Sequence, residues 1–153
     1  MPSYWIFQGN PDRFDMTTYL TQQQSVVWTI GQKHLAPDMA PGDVVFFWRA
    51  AGARRSMAGV IARGVISDSP SVRPDDPASK VLWRSHPGES ERLRVAVRLE
   101  PRPRGGNHIV ARTVLLEEPL LKGMRILKMR NETNYLLSDV EGERLEVLWR
   151  TTK

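Results

Sequence analysis

Short apolar runs separated by turn residues dominate the hydrophobic pattern of the chain, as is typical of a protein built mainly from β-strands. Five runs predict strands, and they lie at residues 4–7, 26–30, 44–48, 59–66 and 93–99. The run Val44–Trp48 is apolar at every position, which predicts a central strand covered on both faces. Residues 93–99 instead alternate apolar residues with Arg94 and Arg98, which predicts a strand with one wet, positively charged face.

Two helices are indicated by their capping residues. Asn10, Pro11 and Asp12 have the order expected at a helix start, and the helix is predicted to run to about Gln23. Near the other end, Ser138 and Glu141 form a capping-box pattern followed by apolar residues on one helical face, so a C-terminal helix is expected.

The remaining segments have weaker patterns. Residues 67–80 contain three prolines and few apolar residues, and are predicted to form a loop. Residues 109–116 and 126–129 are interpreted as two further strands. Together the pattern predicts a single α+β domain over residues 1–153, with a bent sheet or partly open barrel of five to six strands flanked by short helices.

Composition excludes cysteine-based sites and indicates where the protein is expected to occur. The 153 residues include no cysteine, which excludes disulfides, thiolate metal ligands and a cysteine nucleophile. No apolar stretch reaches the roughly 20 residues that span a bilayer, and no signal peptide is recognisable, so a soluble cytoplasmic protein is expected.

The charge distribution indicates a polyanionic partner. Lysine and arginine number 22 against 17 acids, for a net charge of +5. Seven arginines stand against three glutamates between Arg84 and Arg112, and four arginines with no acid lie between Arg49 and Arg63. Clustered arginine suits nucleic-acid binding, although a basic surface that only keeps the protein soluble is the alternative.

No catalytic motif is recognisable. Three histidines without cysteine or a helical histidine pair do not form a known zinc pattern, and phosphate-binding loops and serine-hydrolase signatures are absent. Asp75 and Asp76, in the proline-rich segment, are interpreted as solvated carboxylates. We therefore expect a binding module with no cofactor and no metal; a nuclease or a hydrolase acting on modified nucleotides is the less favoured alternative.

Tryptophan supplies the candidate chemistry. Of the five tryptophans, Trp28, Trp48 and Trp83 each lie at a strand end or in a loop close to a cation, whereas Trp5 and Trp149 fit a core role. Aromatic rings stack on bases with about 1–3 kcal/mol each when the phosphates nearby are neutralised. Trp28 and Trp83 are therefore assigned to a base pocket, and for Trp48 pocket and core remain equal alternatives.

The order of these motifs resembles an EVE domain. The segments that carry the resemblance are 4–7, 10–12, 27–28, 41–46 and 58–61. The family is PUA-like and related to the YTH domains that read N6-methyladenine, so the resemblance implies a pocket for a flipped modified base. By the same resemblance, Trp28 and Trp83 match two pocket walls, Gln8 and Asn10 would contact the base edge, and the backbone of Thr29 would contribute. A further loop tryptophan of YTH domains has no counterpart near residues 85–88, and Trp48 is the candidate replacement.

A mechanism follows from these assignments. The phosphates would be held by cations whose positions flank the tryptophans, namely Lys33, His34, Arg49, Arg54, Arg55, Arg84 and Arg98. The captured base would be a modified cytosine or N6-methyladenine, with DNA favoured over RNA by analogy with the readers attached to restriction enzymes. That analogy implies a nuclease as a partner or a fused domain. An RNA-binding PUA-like module remains the alternative.

Overall fold

The computed structural model describes residues 2–53, 57–84 and 91–152. Its strands are β1 (Tyr4–Gly9), β2 (Ser25–Thr29), β3 (Val44–Arg49), β4 (Gly59–Ile66), β5 (Ser71–Pro74), β6 (Glu91–Leu99), β7 (Val110–Ala111) and β8 (Asn134–Leu137). Its α-helices are α1 (Met16–Gln22), α2 (Pro77–Lys80), α3 (Arg112–Leu116), α4 (Arg125–Lys128) and α5 (Asp139–Thr151), and a 3-10 helix covers Lys33–Asp38.

All eight strands belong to one sheet, in which the main path runs β2-β6-β4-β3-β1-β8. β1 and β3 are parallel and the other pairs are antiparallel. β3 lies inside the sheet with its first five residues buried, as its unbroken apolar run predicts. The expected α+β class with an unclosed sheet and short helices is confirmed, and the five strands predicted most clearly are all present.

The sheet separates two hydrophobic clusters. Along β3, Val45 and Phe47 belong to one cluster, whereas Val44, Phe46 and Trp48 belong to the other. This alternation follows from the period of two in a strand, which directs successive side chains to opposite faces. Helix α1 packs on the first face and helix α5 on the second, so each apolar surface of β3 is covered.

Side chains connect the two ends of the open sheet. Within the described ranges no ladder of hydrogen bonds joins β2 to β8. Instead, the buried Asn134 of β8 accepts from the backbone N–H groups of Gly31 and Gln32 at 2.9 and 3.3 Å, and donates to the carbonyl of Thr29 at 3.3 Å. In return, the Gln32 side chain accepts from the backbone N–H groups of Thr133 and Asn134, both at 2.8 Å. We call these bonds the β2–β8 clamp; they hold the end of β2 next to the start of β8.

Several local predictions need correction. Residues 71–74 and 77–80 form β5 and α2 rather than a loop, because β5 pairs with β6 and the Asp76 side chain caps α2. Residues 112–116 and 125–128 are helical rather than extended. The three short strands β5, β7 and β8 raise the total above the predicted five to six, since strands of two to four residues carry too few positions to show a period.

Two further differences concern α1 and β6. The helix predicted from Asn10 begins at Met16 and is capped by Asp15, because the chain first forms an isolated turn at residues 11–13 and then a backbone bridge from Phe14 to Trp83. The wet face of β6 is only partly wet: Arg98 is exposed, but Arg94 is 4 % exposed, because β5 and the segment after it cover it.

Across the described part of the chain, no helix has both the length and the apolar character needed to cross a lipid bilayer.

Candidate functional site

A cavity of about 640 Å³ opens at the ends of β1 and β2. That volume lies in the range of ligand-binding pockets. Its lining comes from residues 8–10, 13–14 and 27–29, from Tyr19, Ala50, Asp75, Ser79, Trp83 and Arg92, and from residues 130–133. The β2–β8 clamp brings the end of β2 and residues 130–133 to the same opening.

One wall of the cavity is aromatic. Trp28 is 6 % exposed, and its ring stacks on Tyr19 with centroids 6.5 Å apart. Phe14 contacts both tryptophans, with its ring centroid 4.7 Å from Trp83 and 6.2 Å from Trp28. Gly9 allows this packing, because a Cβ at that position would lie 3.2 Å from the Trp28 ring and 2.8 Å from the sulfur of Met16. The structure therefore brings Trp28 and Trp83 to one cavity, with Phe14 in contact with both.

Two carboxylates hold the aromatic wall in place. Asp75 accepts from Trp83 Nε1 at 3.1 Å and lies 3.9 Å from the guanidinium of the buried Arg94. Asp76 accepts from the Tyr19 hydroxyl at 2.9 Å, and that hydroxyl accepts from the Val27 backbone N–H at 2.8 Å. Burial raises the pKa of Tyr19 well above its ordinary value, with a further contribution from Asp76. The interpretation of Asp75 and Asp76 as solvated carboxylates is wrong, since both bind side chains that line the cavity.

Polar groups at the strand ends have defined hydrogen-bonding roles. The Gln8 amide nitrogen donates to the carbonyls of Arg130 and Glu132 at 2.8 and 2.7 Å, which leaves Oε1 as an acceptor. Asn10 Oδ1 accepts from the Asp12 backbone N–H at 2.9 Å, which leaves its amide nitrogen as a donor.

The backbone of Thr29 is directed away from the sheet. On either side of β2, the Leu99 N–H donates to the Gln24 carbonyl at 2.8 Å and the Ile30 N–H donates to the Leu93 carbonyl at 2.9 Å. Because such bonds alternate along an antiparallel pair, Thr29 falls at a non-bonded position opposite Arg94. Its N–H therefore points to the free edge of β2, on the side where the cavity lies.

The rim of the cavity is positively charged. Arg13, Arg92 and Arg130 are exposed lining residues, and none of them forms an ion pair with another described residue. The acids in the lining, by contrast, are paired. Asp75 faces Arg94, and Glu132 binds Arg125, which lowers the pKa of Glu132. Among the described residues, three guanidinium groups on the rim thus have no acidic partner.

The cations that the sequence predicted to bind phosphate are not gathered on the rim of the cavity. Lys33 and His34 are exposed on the 3-10 helix but do not line the cavity. Arg84 follows Trp83, and its Nε donates to the Pro11 carbonyl at 2.8 Å. Arg98 pairs with Ser25, at the end of β2 away from the cavity. Arg54 and Arg55 lie outside the described residues.

Trp48 does not belong to the cavity. Its side chain is 3 % exposed and packs in the hydrophobic cluster on the face of the sheet opposite Trp28. The expectation of a third wall at Trp48 is wrong, because the strand period directs this side chain away from Phe47, which touches Trp28. The neighbouring Arg49 lines a separate, smaller cavity.

Sequence reasoning missed several cavity residues, chiefly Phe14, Tyr19, Arg13, Arg92 and Arg130. Phe14 and Tyr19 resemble core positions of a short helix, and nothing in the local pattern distinguishes them. The only signal for Arg92 was its place in the arginine-rich segment from Arg84 to Arg112. For Arg130 no signal exists, because residues 130–133 reach the cavity only through tertiary contacts. No cluster of three or more His, Asp or Glu side chains suited to a metal occurs among the residues that the structure describes.

Known structures share this fold. A hypothetical protein from Leishmania major superposes with a TM-score of 0.69 at 16% identity, covering 97% of this chain and 94% of that chain. Human THYN1 in complex with DNA containing 5-methylcytosine superposes with a TM-score of 0.66 at 15% identity, covering 99% of this chain and 100% of that chain. PSPTO5229 from Pseudomonas syringae superposes with a TM-score of 0.63 at 16% identity, covering 95% of this chain and 99% of that chain. At these identities the likeness establishes the fold alone.

Sequence comparison gives the family. No curated protein matches the chain significantly. The family model of the EVE domain matches residues 3–148, nearly the whole chain, and agrees with the PUA-like architecture of the open sheet and short helices. The protein belongs to the EVE domain family.

Proposed function

We propose that this protein binds DNA and captures one flipped, modified base, most simply a modified cytosine, in the cavity lined by Trp28, Phe14 and Trp83. The observation that carries the proposal is the combination of an aromatic wall with three arginines that have no acidic partner in the described structure. Stacking platforms beside a positive rim are the arrangement that single nucleotides and extruded bases require.

The polar strand ends support recognition of a base edge. Gln8 offers an acceptor and Asn10 a donor, because their other amide atoms are already bonded within the protein. This pair complements the amino group and ring nitrogen of cytosine, and equally those of adenine. The free N–H of Thr29 adds a second donor. Discrimination between cytosine and adenine would then depend on how much space the aromatic wall leaves for the base.

The rim arginines would position the backbone without reading sequence. Each phosphate contact makes the slope of log affinity against log salt concentration more negative by about 0.9 on duplex DNA. Extruding a base costs a few kcal/mol, and the aromatic contacts with the captured base offset that cost.

DNA is favoured over RNA because the THYN1 domain of the same fold was solved with DNA containing 5-methylcytosine. We accordingly propose a binding module rather than an enzyme. A nuclease, present as a partner or as a fused domain, would act on the DNA that the module binds.

The decisive experiment replaces Trp83, the more accessible of the two tryptophans that line the cavity. Trp83→Ala removes one stacking surface while Trp28 stays in the core, and Trp48→Phe is the matched control on the opposite face of the sheet. Fluorescence anisotropy should show that Trp83→Ala lowers affinity for a duplex with one 5-methylcytosine by about 5- to 150-fold, the equivalent of 1–3 kcal/mol. Trp48→Phe should leave that affinity unchanged.

Matched oligonucleotides then test the ligand class. The same sequence is compared as unmodified DNA, 5-methylcytosine DNA, N6-methyladenine DNA and RNA. If no form binds better than unmodified DNA, base capture is refuted. If RNA binds best, the protein is an RNA-binding module.

A further inference from the structure

A second, smaller cavity of about 80 Å³ lies beside Arg49, the last residue of β3. Its lining includes Arg49 and Arg102 and the polar residues Thr17, Asn107 and His108. The space would hold about three water molecules at the volume each occupies in the liquid, or one small anion. Among the residues that the structure describes, no carboxylate contributes to the lining.

Hydrogen bonds fix the orientation of the Arg49 side chain but do not occupy all of its N–H donors. Its Nη1 donates to the Thr17 hydroxyl at 3.0 Å, and its Nε and Nη2 donate to the Met57 carbonyl at 3.2 and 3.1 Å. A guanidinium carries five N–H donors, so two N–H groups of Arg49 have no partner in the described structure.

Arg102 reaches the same cavity through an irregularity of the sheet. The β3–β4 register shifts between Phe47 and Trp48, which leaves Ile61 as the extra residue of a β-bulge. Arg102 Nε donates to the carbonyl of Ile61 at 2.8 Å. Its Nη2 is buried and has no hydrogen-bond partner among the described residues.

The two positive charges have no acidic partner in the part of the chain that the structure describes, since neither arginine forms an ion pair there. Burial lowers the pKa of both guanidinium groups from their ordinary value, yet arginine stays charged in proteins. Both residues are only half-buried, but a partly desolvated charge without a partner is still unfavourable. An anion in this cavity would compensate both charges and accept from the unused N–H groups of Arg49.

We propose that Arg49 and Arg102 form an oxyanion site that holds one phosphate group. Arginine forks match phosphate oxygens in geometry and charge. The site adjoins the base cavity, since Arg49 pairs with Gly9 in the sheet and the next residue, Ala50, lines the base cavity. The phosphate could therefore come from the DNA backbone near a captured base, or be free inorganic phosphate.

The test starts with inorganic phosphate, which makes it independent of base capture. Thermal unfolding is followed in phosphate and in chloride at equal ionic strength for the wild type, Arg102→Gln and Arg104→Gln. Arg104 is an exposed residue of the same loop and loses the same charge. The dependence of Tm on phosphate concentration gives the affinity, and Arg102→Gln should weaken it about tenfold or more while Arg104→Gln leaves it unchanged. Equal responses in all three proteins would overturn the proposal, since they indicate only the general stabilisation by excluded salts.

A second measurement needs no variant and guards against misfolding of Arg102→Gln. In the wild type, phosphate titration followed by ¹⁵N NMR should shift the amides of Gly106 and Asn107. Shifts confined to other residues would place the anion elsewhere and refute the site.

Unmodified duplex DNA identifies the source of the phosphate. If Arg102→Gln weakens DNA binding and inorganic phosphate competes in the wild type, the site takes a backbone phosphate. If the phosphate response is lost but DNA affinity is unchanged, the site takes the free anion. Either result is independent of any preference for modified bases, so failure of base capture is distinguished from failure of this site.

Discussion

The β2–β8 clamp gives the sharpest prediction about the architecture. Asn134→Ala removes an amide that is 1 % exposed and that bonds to three backbone groups at the end of β2, at 2.9, 3.3 and 3.3 Å. No ladder between β2 and β8 is present in the described structure to substitute for it. We expect the substitution to destabilise the fold and to loosen the mouth of the base cavity.

The magnitude follows from the groups that lose their partner. A typical hydrogen bond contributes about 1 kcal/mol, and a buried group left without a partner costs about 1–3 kcal/mol. Two of the three bonds are long and Gly31 is exposed enough to bind water, so the loss should be about 2–3 kcal/mol in total. For a domain of this size that corresponds to a decrease in Tm of about 4–12 °C.

The assay compares Asn134→Ala with Asn131→Ala, an exposed residue of the same segment. Differential scanning calorimetry measures Tm, and hydrogen exchange measures the protection of the Gly31 and Gln32 amides. A Tm within about 1 °C of the wild type, with unchanged protection at both amides, would refute the argument that this side chain connects the sheet ends.

Three further predictions concern single side chains. Tyr19→Phe leaves the Val27 N–H without its partner and should cost about 1–3 kcal/mol in urea denaturation; an unchanged midpoint would contradict that role. Trp48→Phe should cost roughly 1–2 kcal/mol as a loss of core volume without altering DNA affinity, and a loss of affinity at full stability would return Trp48 to the site. Because Arg125 lowers the pKa of Glu132, the stability from this pair is present above the ordinary glutamate pKa and is lost as pH falls through the lowered value. Arg125→Gln should raise the Glu132 pKa in an NMR titration, and an unchanged pKa would exclude the pairing in solution.

Local pattern predicted the elements whose residues are numerous enough to show a period. β3 and α5 are examples: the first has five buried residues in succession, and the second has its capping box formed as expected. Short elements were missed for the same reason. β8 has four residues, and α4 was mistaken for a strand because four apolar and basic residues fit either period.

The candidate site was only partly predictable. Trp28 and Trp83 were assigned to one pocket because each lies beside a strand end or loop, and both line the cavity. Arg13 and Arg130 are separated by more than a hundred residues and meet at one rim only because the β2–β8 clamp brings residues 130–133 to the end of β2. Spacing along the chain contains no information about such a contact.

By itself, the sequence determined the fold class, the principal strands and the basic character, because these depend on composition and on local periods of two and 3.6 residues. Only the tertiary structure decided which aromatic side chains share a cavity. Trp28 and Trp48 are the same residue type, and each lies near a strand end with a cation close by in the sequence. They nevertheless lie on opposite faces of the sheet. The physical reason is the alternation of side chains along a strand: its phase relative to the core is set by the pairing of β3 with β1 and β4, and not by the residues next to each tryptophan.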